Sequence, residues 1–208
     1  MKHLSKKITS LILTSIMAFS LTVPAFASEQ NSFEKLSLTE ADIQKGIEQA
    51  LKIKLAEIDN IAERNEMEYG IRENLENIDF SNIQSESETI SSRSINLGDI
   101  WKNVVPDIHV KNTYVAATLD TILNGILIAS GVGTLAVALK KYGAKQLQYM
   151  FINTIKTKVI GKAAIALGVS LPAIANYINY AVDPAGKMAD YLDSRDSKPN
   201  NGYLDVIW

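Results

Sequence analysis

Two apolar runs, residues 114–139 and 163–182, constrain this chain more than anything else in it. The linker between them carries Lys140, Lys141, Lys145, Lys156, Lys158 and Lys162 and no acid, and across 114–182 the only carboxylate side chain is Asp120. The first run is long enough to cross a bilayer, for which roughly 20 apolar residues suffice. Two apolar helices joined by a cationic linker can be held by water, as a buried core, or by lipid. Which of the two holds them decides the function.

Neither run is a clean span. In the first, Asp120 and Asn124 lie one helical turn apart, and Gly125, Gly131, Gly133 and Ala129 thin the helix. Ala129 and Gly133 form a small-xxx-small spacing that permits close helix approach. An ionisable residue within such a run is a functional-site candidate; Asp120 can equally be satisfied by backbone N–H groups and solvent near the helix start. In the second run Gly168 and Pro172 fall near the middle, and the proline is expected to kink the helix. Between the runs, residues 140–162 predict a basic amphipathic helix, with Leu147, Met150, Phe151, Ile155 and Val159 on one face. Such a helix suits a membrane surface or a bundle with a solvated lysine face. Tyr114, Tyr142, Tyr177 and Tyr180 fall at the ends of the two runs, as in an interfacial aromatic belt or at a core edge.

Upstream, residues 1–27 read as a secretory signal peptide. Lys2, Lys6 and Lys7 precede an apolar stretch, and Ala25 and Ala27 form the A-x-A cleavage site. The mature chain is expected to start at Ser28. Residues 37–69 predict one long charged helix. Ser37 and Glu40 fit a capping box, and Ile43, Ile47, Leu51, Leu55, Ile58 and Ala62 recur at steps of three or four. Gly70 is the expected stop, with a short second helix over 71–80. Residues 81–94 are a Ser-rich linker whose composition cannot offset the entropy of ordering, and exposed linkers of this kind are where proteases cut. Residues 95–112 approach the first run, with Trp101 and a helix-breaking Pro106. Residues 183–208 read as a polar tail with a turn at Asn201-Gly202 and an apolar end, 203–208, able to dock or to form a short edge strand.

Charge divides the same way. Residues 28–94 hold 15 acids and 7 basic residues, and residues 95–208 hold 8 acids and 11 basic residues. The halves are therefore suited to contact each other or to meet anionic surfaces. The expected organisation is a signal peptide over 1–27, an acidic helical pro-segment over 28–80, the linker 81–94, and a cationic apolar domain over 95–208. The fold class is all-α, a charged helix followed by a compact bundle of three or four apolar helices.

The chemistry of most enzymes is missing from the sequence. With no cysteine there is neither a thiolate metal site nor a thiol nucleophile. His109 is the one histidine after the signal peptide, and a lone histidine makes neither a zinc site nor a serine triad. The turn cluster 193–202 fails the calcium-loop pattern, because Lys198 and Asn201 fall where a ligand and the invariant glycine are needed. No phosphate-binding or dinucleotide motif is present, and the lysines are not interleaved with stacking aromatics as in a nucleic-acid binder. The chain is not expected to be an enzyme, to need a cofactor or metal, or to act on a small-molecule substrate.

A signal sequence ending Ala25-Phe26-Ala27, an acidic pro-segment and a cationic, Gly- and Ala-rich helical part together resemble precursors of secreted bacteriocins and related peptide toxins of Gram-positive bacteria. The resemblance implies a small helical fold that attacks the membranes of competing bacteria, with an immunity protein as a further partner. Here the double-glycine leader and YGNGV-type box of the best-known classes are absent. On this reading the chain is secreted, and the hairpin 114–182 permeabilises an anionic bacterial membrane once the acidic segment is removed. Lys140, Lys141, Lys145, Lys156, Lys158, Lys162, Tyr142 and Phe151 would meet the lipid. Two alternatives stand beside it. One is a two-span protein of the cell membrane with a cytoplasmic loop 140–162, as the positive-inside rule favours. The other is a soluble secreted helical domain without lytic activity.

Overall fold

The computed structural model describes residues 33–77, 107–180 and 182–206. Ala25, Ala27, Trp101 and the 81–94 linker lie outside the described residues. The chain is mainly helical: α1 (Glu40–Ala56), α2 (Ile61–Leu75), α3 (Asn112–Ala129), α4 (Leu135–Tyr142), α5 (Ala144–Ile155), α6 (Val159–Ala166), α7 (Leu171–Ala175) with a 3-10 turn over Asn176–Asn179, and α8 (Pro184–Asp193). Two short strands, β1 (Ile108–Lys111) and β2 (Tyr203–Val206), pair antiparallel. The helical class agrees with the sequence reading, with more and shorter helices than expected.

Helix α3 is the axis. Val115, Leu119, Ile122, Leu123, Ile126 and Leu127 are all buried, because α1, α2, α5 and α8 pack around it. An apolar helix packed on most of its faces, with Asn124 left exposed, is what a protein core makes of such a run.

Both apolar runs are cut by the same device. After α3, Gly131 takes φ +70°, Val132 N–H donates to Leu127 C=O at 3.1 Å, and Gly131 N–H donates to Ile128 C=O at 3.0 Å. After α6, Gly168 takes φ +72°, Val169 N–H donates to Ala164 C=O and Gly168 N–H to Ile165 C=O, each at 2.9 Å. These paired bonds are Schellman motifs, which need a left-handed residue that glycine supplies at little cost. Val132 and Val169, the residues that follow, are buried. Gly131 therefore ends a helix where membrane-type thinning was expected. Thr134 starts the next one, its Oγ1 accepting from Val137 N–H at 3.3 Å. Pro172 likewise opens α7 where a kink was expected, since a first-turn proline loses no helical hydrogen bond.

As a result, no single helix among the described residues is long and apolar enough to cross a membrane. One bent pair, Val159–Ala166 with Leu171–Asn179, passes by length and composition together, but it is bent by 116° at the break.

The charged N-terminal part differs in detail from the sequence reading. The capping box is Thr39 with Asp42, two residues beyond the expected pair; Asp42 N–H donates to Thr39 Oγ1 and Thr39 N–H to Asp42 Oδ2, each at 3.1 Å. The single helix over 37–69 is two helices. The break comes at 57–60, where Asn60 Oδ1 caps α2 by accepting from Ala62 and Glu63 N–H. Gly70 is no stop: it sits inside α2 against the Tyr114 ring.

The chain's end is the edge strand anticipated as one option, with His109 opposite Asp205 and Lys111 opposite Tyr203. Asp183 caps α8, which begins at Pro184. Asp193 and Asp196 are buried and are satisfied by backbone N–H groups of Asn201, Gly202, Lys198 and Asp205. Asp205, fully buried, lies 2.6 Å from His109 Nδ1 and accepts from Asn201 Nδ2. The His109 ring holds its carboxyl below the usual 3.8, with burial opposing and Asn201 assisting. A carboxyl depressed on folding contributes stability that is complete above its unfolded pKa and lost as pH falls through the folded value. Asp205→Asn should thus be less stable than the parent at neutral pH, with the gap closing below about pH 4. Urea midpoints from neutral pH downward test this; a gap independent of pH would refute it.

Candidate membrane-interaction site

The candidate lysines do not share one environment. Lys140 and Lys141 occupy the last turn of α4, where cations suit the helix dipole, and both are exposed, as are Lys145 and Lys156. Lys162 is half-buried and Lys158 is buried, at 8% exposure. Burial pushes the pKa of both below the ordinary lysine value, and for Lys158 the Glu40 charge opposes the shift. The aromatic candidates are inside. Phe151 is 0% exposed in the main core. Tyr142 is buried, and its hydroxyl donates to Ser130 C=O at 2.9 Å, tying α4 to the end of α3. In this closed form lipid can reach four of the six lysines freely and neither aromatic.

The tyrosines at the run ends have protein neighbours. Tyr114 bonds to Glu66. Tyr177 stacks on Tyr180, ring centroids 5.5 Å apart, and lies beside Tyr191 at 5.6 Å.

What covers the apolar domain is the acidic segment. An extended strap, 33–39, crosses the α4–α5 junction. Glu34 N–H donates to Lys141 C=O at 3.0 Å, Leu36 N–H donates to Gln146 Oε1 at 2.7 Å, and the Glu34 carboxylate stands 3.3 Å from Lys141 Nζ. Hydrogen bonds to Tyr142 and Glu34 raise the Lys141 pKa. Helix α1 then crosses α3 with glycine against glycine: a Cβ on Gly46 would stand 2.1 Å from Gly125 C=O oxygen, and one on Gly125 would stand 2.7 Å from Ile47 Cα. Beside the crossing, Lys54 Nζ meets Asp120 Oδ2 at 2.7 Å, and Asn124 Nδ2 donates to Asp120 Oδ1 at 3.0 Å. The lone acid of the apolar run is thus paired from the acidic segment itself. On α2, Glu66 accepts from Lys111 Nζ at 2.8 Å and from Tyr114 OH. Those bonds lower the Glu66 pKa and raise that of Lys111. Past α2, Val159 N–H donates to Glu76 C=O at 3.0 Å.

Magnitudes rank these contacts. The three ion pairs across the seam, Glu34–Lys141, Lys54–Asp120 and Glu66–Lys111, are all partly exposed, and exposed pairs contribute little to stability. The cover also buries Ile43, Ile47, Leu51, Leu55 and Ile71. At ~1.5–3 kcal/mol per buried aliphatic side chain this is at most on the order of 10 kcal/mol, part of it within the cover itself, because Leu51, Leu55 and Ile71 cluster with Ala117 while Ile43 and Ile47 join the main core. Apolar burial therefore holds the cover, and the ion pairs set its register.

The sequence missed Gly46, Lys54, Glu66 and Lys111. Gly46 had a signal: it stands on the apolar stripe between Ile43 and Ile47, where a side chain was due. The pairing of Lys54 with Asp120 spans 66 positions and has no local signature.

No family model, curated protein or solved structure matches the chain.

Proposed function

We propose that the chain is the precursor of a secreted, bacteriocin-like membrane-active protein, in which the acidic segment keeps the apolar domain closed. The observation that carries this is the α1–α3 crossing at Gly46 and Gly125, which seats the segment's apolar stripe on the central helix α3. Opening at that seam would free the helices of 114–182 for lipid. An anionic surface favours the change through charge: it attracts each surface lysine by roughly 1 kcal/mol and repels the acidic cover. Since Ile43 and Ile47 of the segment are buried in the main core, a cut in the 81–94 linker alone would leave the two parts associated in water. Contact with the membrane completes their separation.

The test uses residues 28–208 with a protease site placed in 81–94. After cutting, the fragments should co-elute in buffer. On anionic liposomes the C-terminal fragment should partition to lipid and release trapped dye, whereas uncut protein and neutral liposomes give little release. Cut protein that leaves anionic liposomes intact would sink this reading. It would favour a secreted helical domain without lytic activity, for which one observation speaks directly: Ile43 and Ile47 of the acidic segment share the main core with α3 and α5.

A further inference from the structure

A groove of about 360 Å3 runs between the first half of α1 and the end of α5. Leu38, Ile43, Ile47 and Met150 supply apolar lining, and Lys156, Lys158 and Glu40 supply its charged lining. Lys158 is unusual there. It is only 8% exposed, yet among the described residues its ammonium has no hydrogen-bond or ion-pair partner. Glu40, across the groove, acts on it only at longer range. Buried cations in proteins are paired as a rule, because desolvation penalises a lone charge. The Lys158 Nζ is not among the fully enclosed unpaired atoms, which are Asn74 Oδ1 and Asn112 Oδ1. The lysine stem therefore lies along apolar surface while its tip stays open to the groove.

The neighbouring polar groups do not compensate. Lys156 Nζ donates to Asn153 Oδ1 at 3.0 Å and has further N–H groups to give. The Thr154 hydroxyl is committed to Met150 C=O at 2.9 Å. The lining thus carries two cationic donors, Lys156 and Lys158, against one carboxylate, Glu40, beside apolar surface from Leu38, Ile43, Ile47 and Met150. Pockets of roughly 300–1,000 Å3 with an apolar lining and a few convergent polar groups are those that hold small ligands.

We propose that this groove binds a single-chain anionic amphiphile, its oxyanion head on Lys158 and Lys156 and its alkyl chain along Leu38, Ile43, Ile47 and Met150. The site does not depend on membrane permeabilisation. It is formed by the closed protein, and its test contains no bilayer.

The probe is decanoate below its micelle concentration, titrated calorimetrically into residues 28–208, with inorganic phosphate and the neutral decyl maltoside as comparisons. Decanoate should bind and the other two should not. Lys158→Met, which keeps the stem and removes the charge, should weaken decanoate by about tenfold or more, as expected for a lost charge-assisted hydrogen bond. The same substitution should raise the Tm of the ligand-free protein, because it removes a partly desolvated charge that has no ion-pair partner among the described residues. Lys156→Gln should cost less affinity. Inorganic phosphate binding as tightly as decanoate would overturn the amphiphile, and decyl maltoside binding as tightly would overturn the cationic anchor. A Lys158→Met variant that binds decanoate unchanged, or melts below the parent, would mark Lys158 as a structural cation and overturn the site.

Discussion

Gly46→Ala is expected to destabilise the protein while strengthening the helix that carries it. In an isolated peptide of α1, replacing glycine by alanine favours the helix by about 1 kcal/mol. In the folded chain the added Cβ would stand 2.1 Å from Gly125 C=O oxygen and 2.9 Å from its carbon. Those atoms are backbone of the central helix, so no rotamer change relieves the clash. Only a shift of α1 as a whole can. Overpacking typically costs ~1–3 kcal/mol, and a contact against backbone belongs at or beyond the top of that range. The net effect should be a loss of about 2 kcal/mol or more. Gly125→Ala meets Ile47 Cα and N, each at 2.7 Å, and should behave alike. Because both changes strike the one crossing, their costs should not add once α1 has moved. Peptide helicity and urea unfolding of the intact chain measure the two signs. A variant as stable as the parent would mean that α1 does not cross α3 at this point. The same variant also bears on function, since a loosened cover should permit dye release from anionic liposomes without proteolysis.

How far the sequence discloses this arrangement depends on how local each cause is. The stripe Ile43, Ile47, Leu51 and Leu55 was readable because its period is helical, and all four are buried. Ile58 and Ala62 continued the period on paper, but the helix stops before them. Asn60 offers a side-chain cap that outweighs two more apolar positions, one of which, Ala62, is exposed. Gly131 was visible as a glycine and misjudged as to its role, and Gly168 was given none. Within a long apolar run a glycine suggests close helix packing, whereas what decided the matter was the buried valine that follows each and the carbonyls left free at the helix end. The helical class was legible; the partner of the acidic segment was not, because the Gly46–Gly125 crossing joins residues far apart in sequence. The site lysines show the same limit. Spacing placed Phe151 on the apolar face of α5, where it is, but gave no warning that Lys158 would follow it inside.

Phe151→Ala should separate the two roles that residue can have. In the closed protein Phe151 is 0% exposed within the main core, and truncating a buried phenylalanine costs ~3–5 kcal/mol. If the helices 114–182 open onto lipid, the same side chain contributes at most about 1.5–3 kcal/mol there by leaving water. The loss to the closed state is the larger. The variant should therefore melt lower and release dye at lower protein concentration than the parent, although it has lost an apolar group. Met188→Ala in α8, also 0% exposed, provides the comparison: it too should lose ~2–5 kcal/mol, and it lies outside the hairpin. If both variants leak more in proportion to the stability they lose, opening of the core limits membrane attack, and Phe151 acts by holding the protein shut. A Phe151→Ala variant that melts lower yet leaks less, beside a Met188→Ala variant that leaks more, would instead make Phe151 a membrane anchor whose value in lipid exceeds its value in the core. Equal loss of stability with no leakage from either would leave the closed helical domain as the working form of the protein.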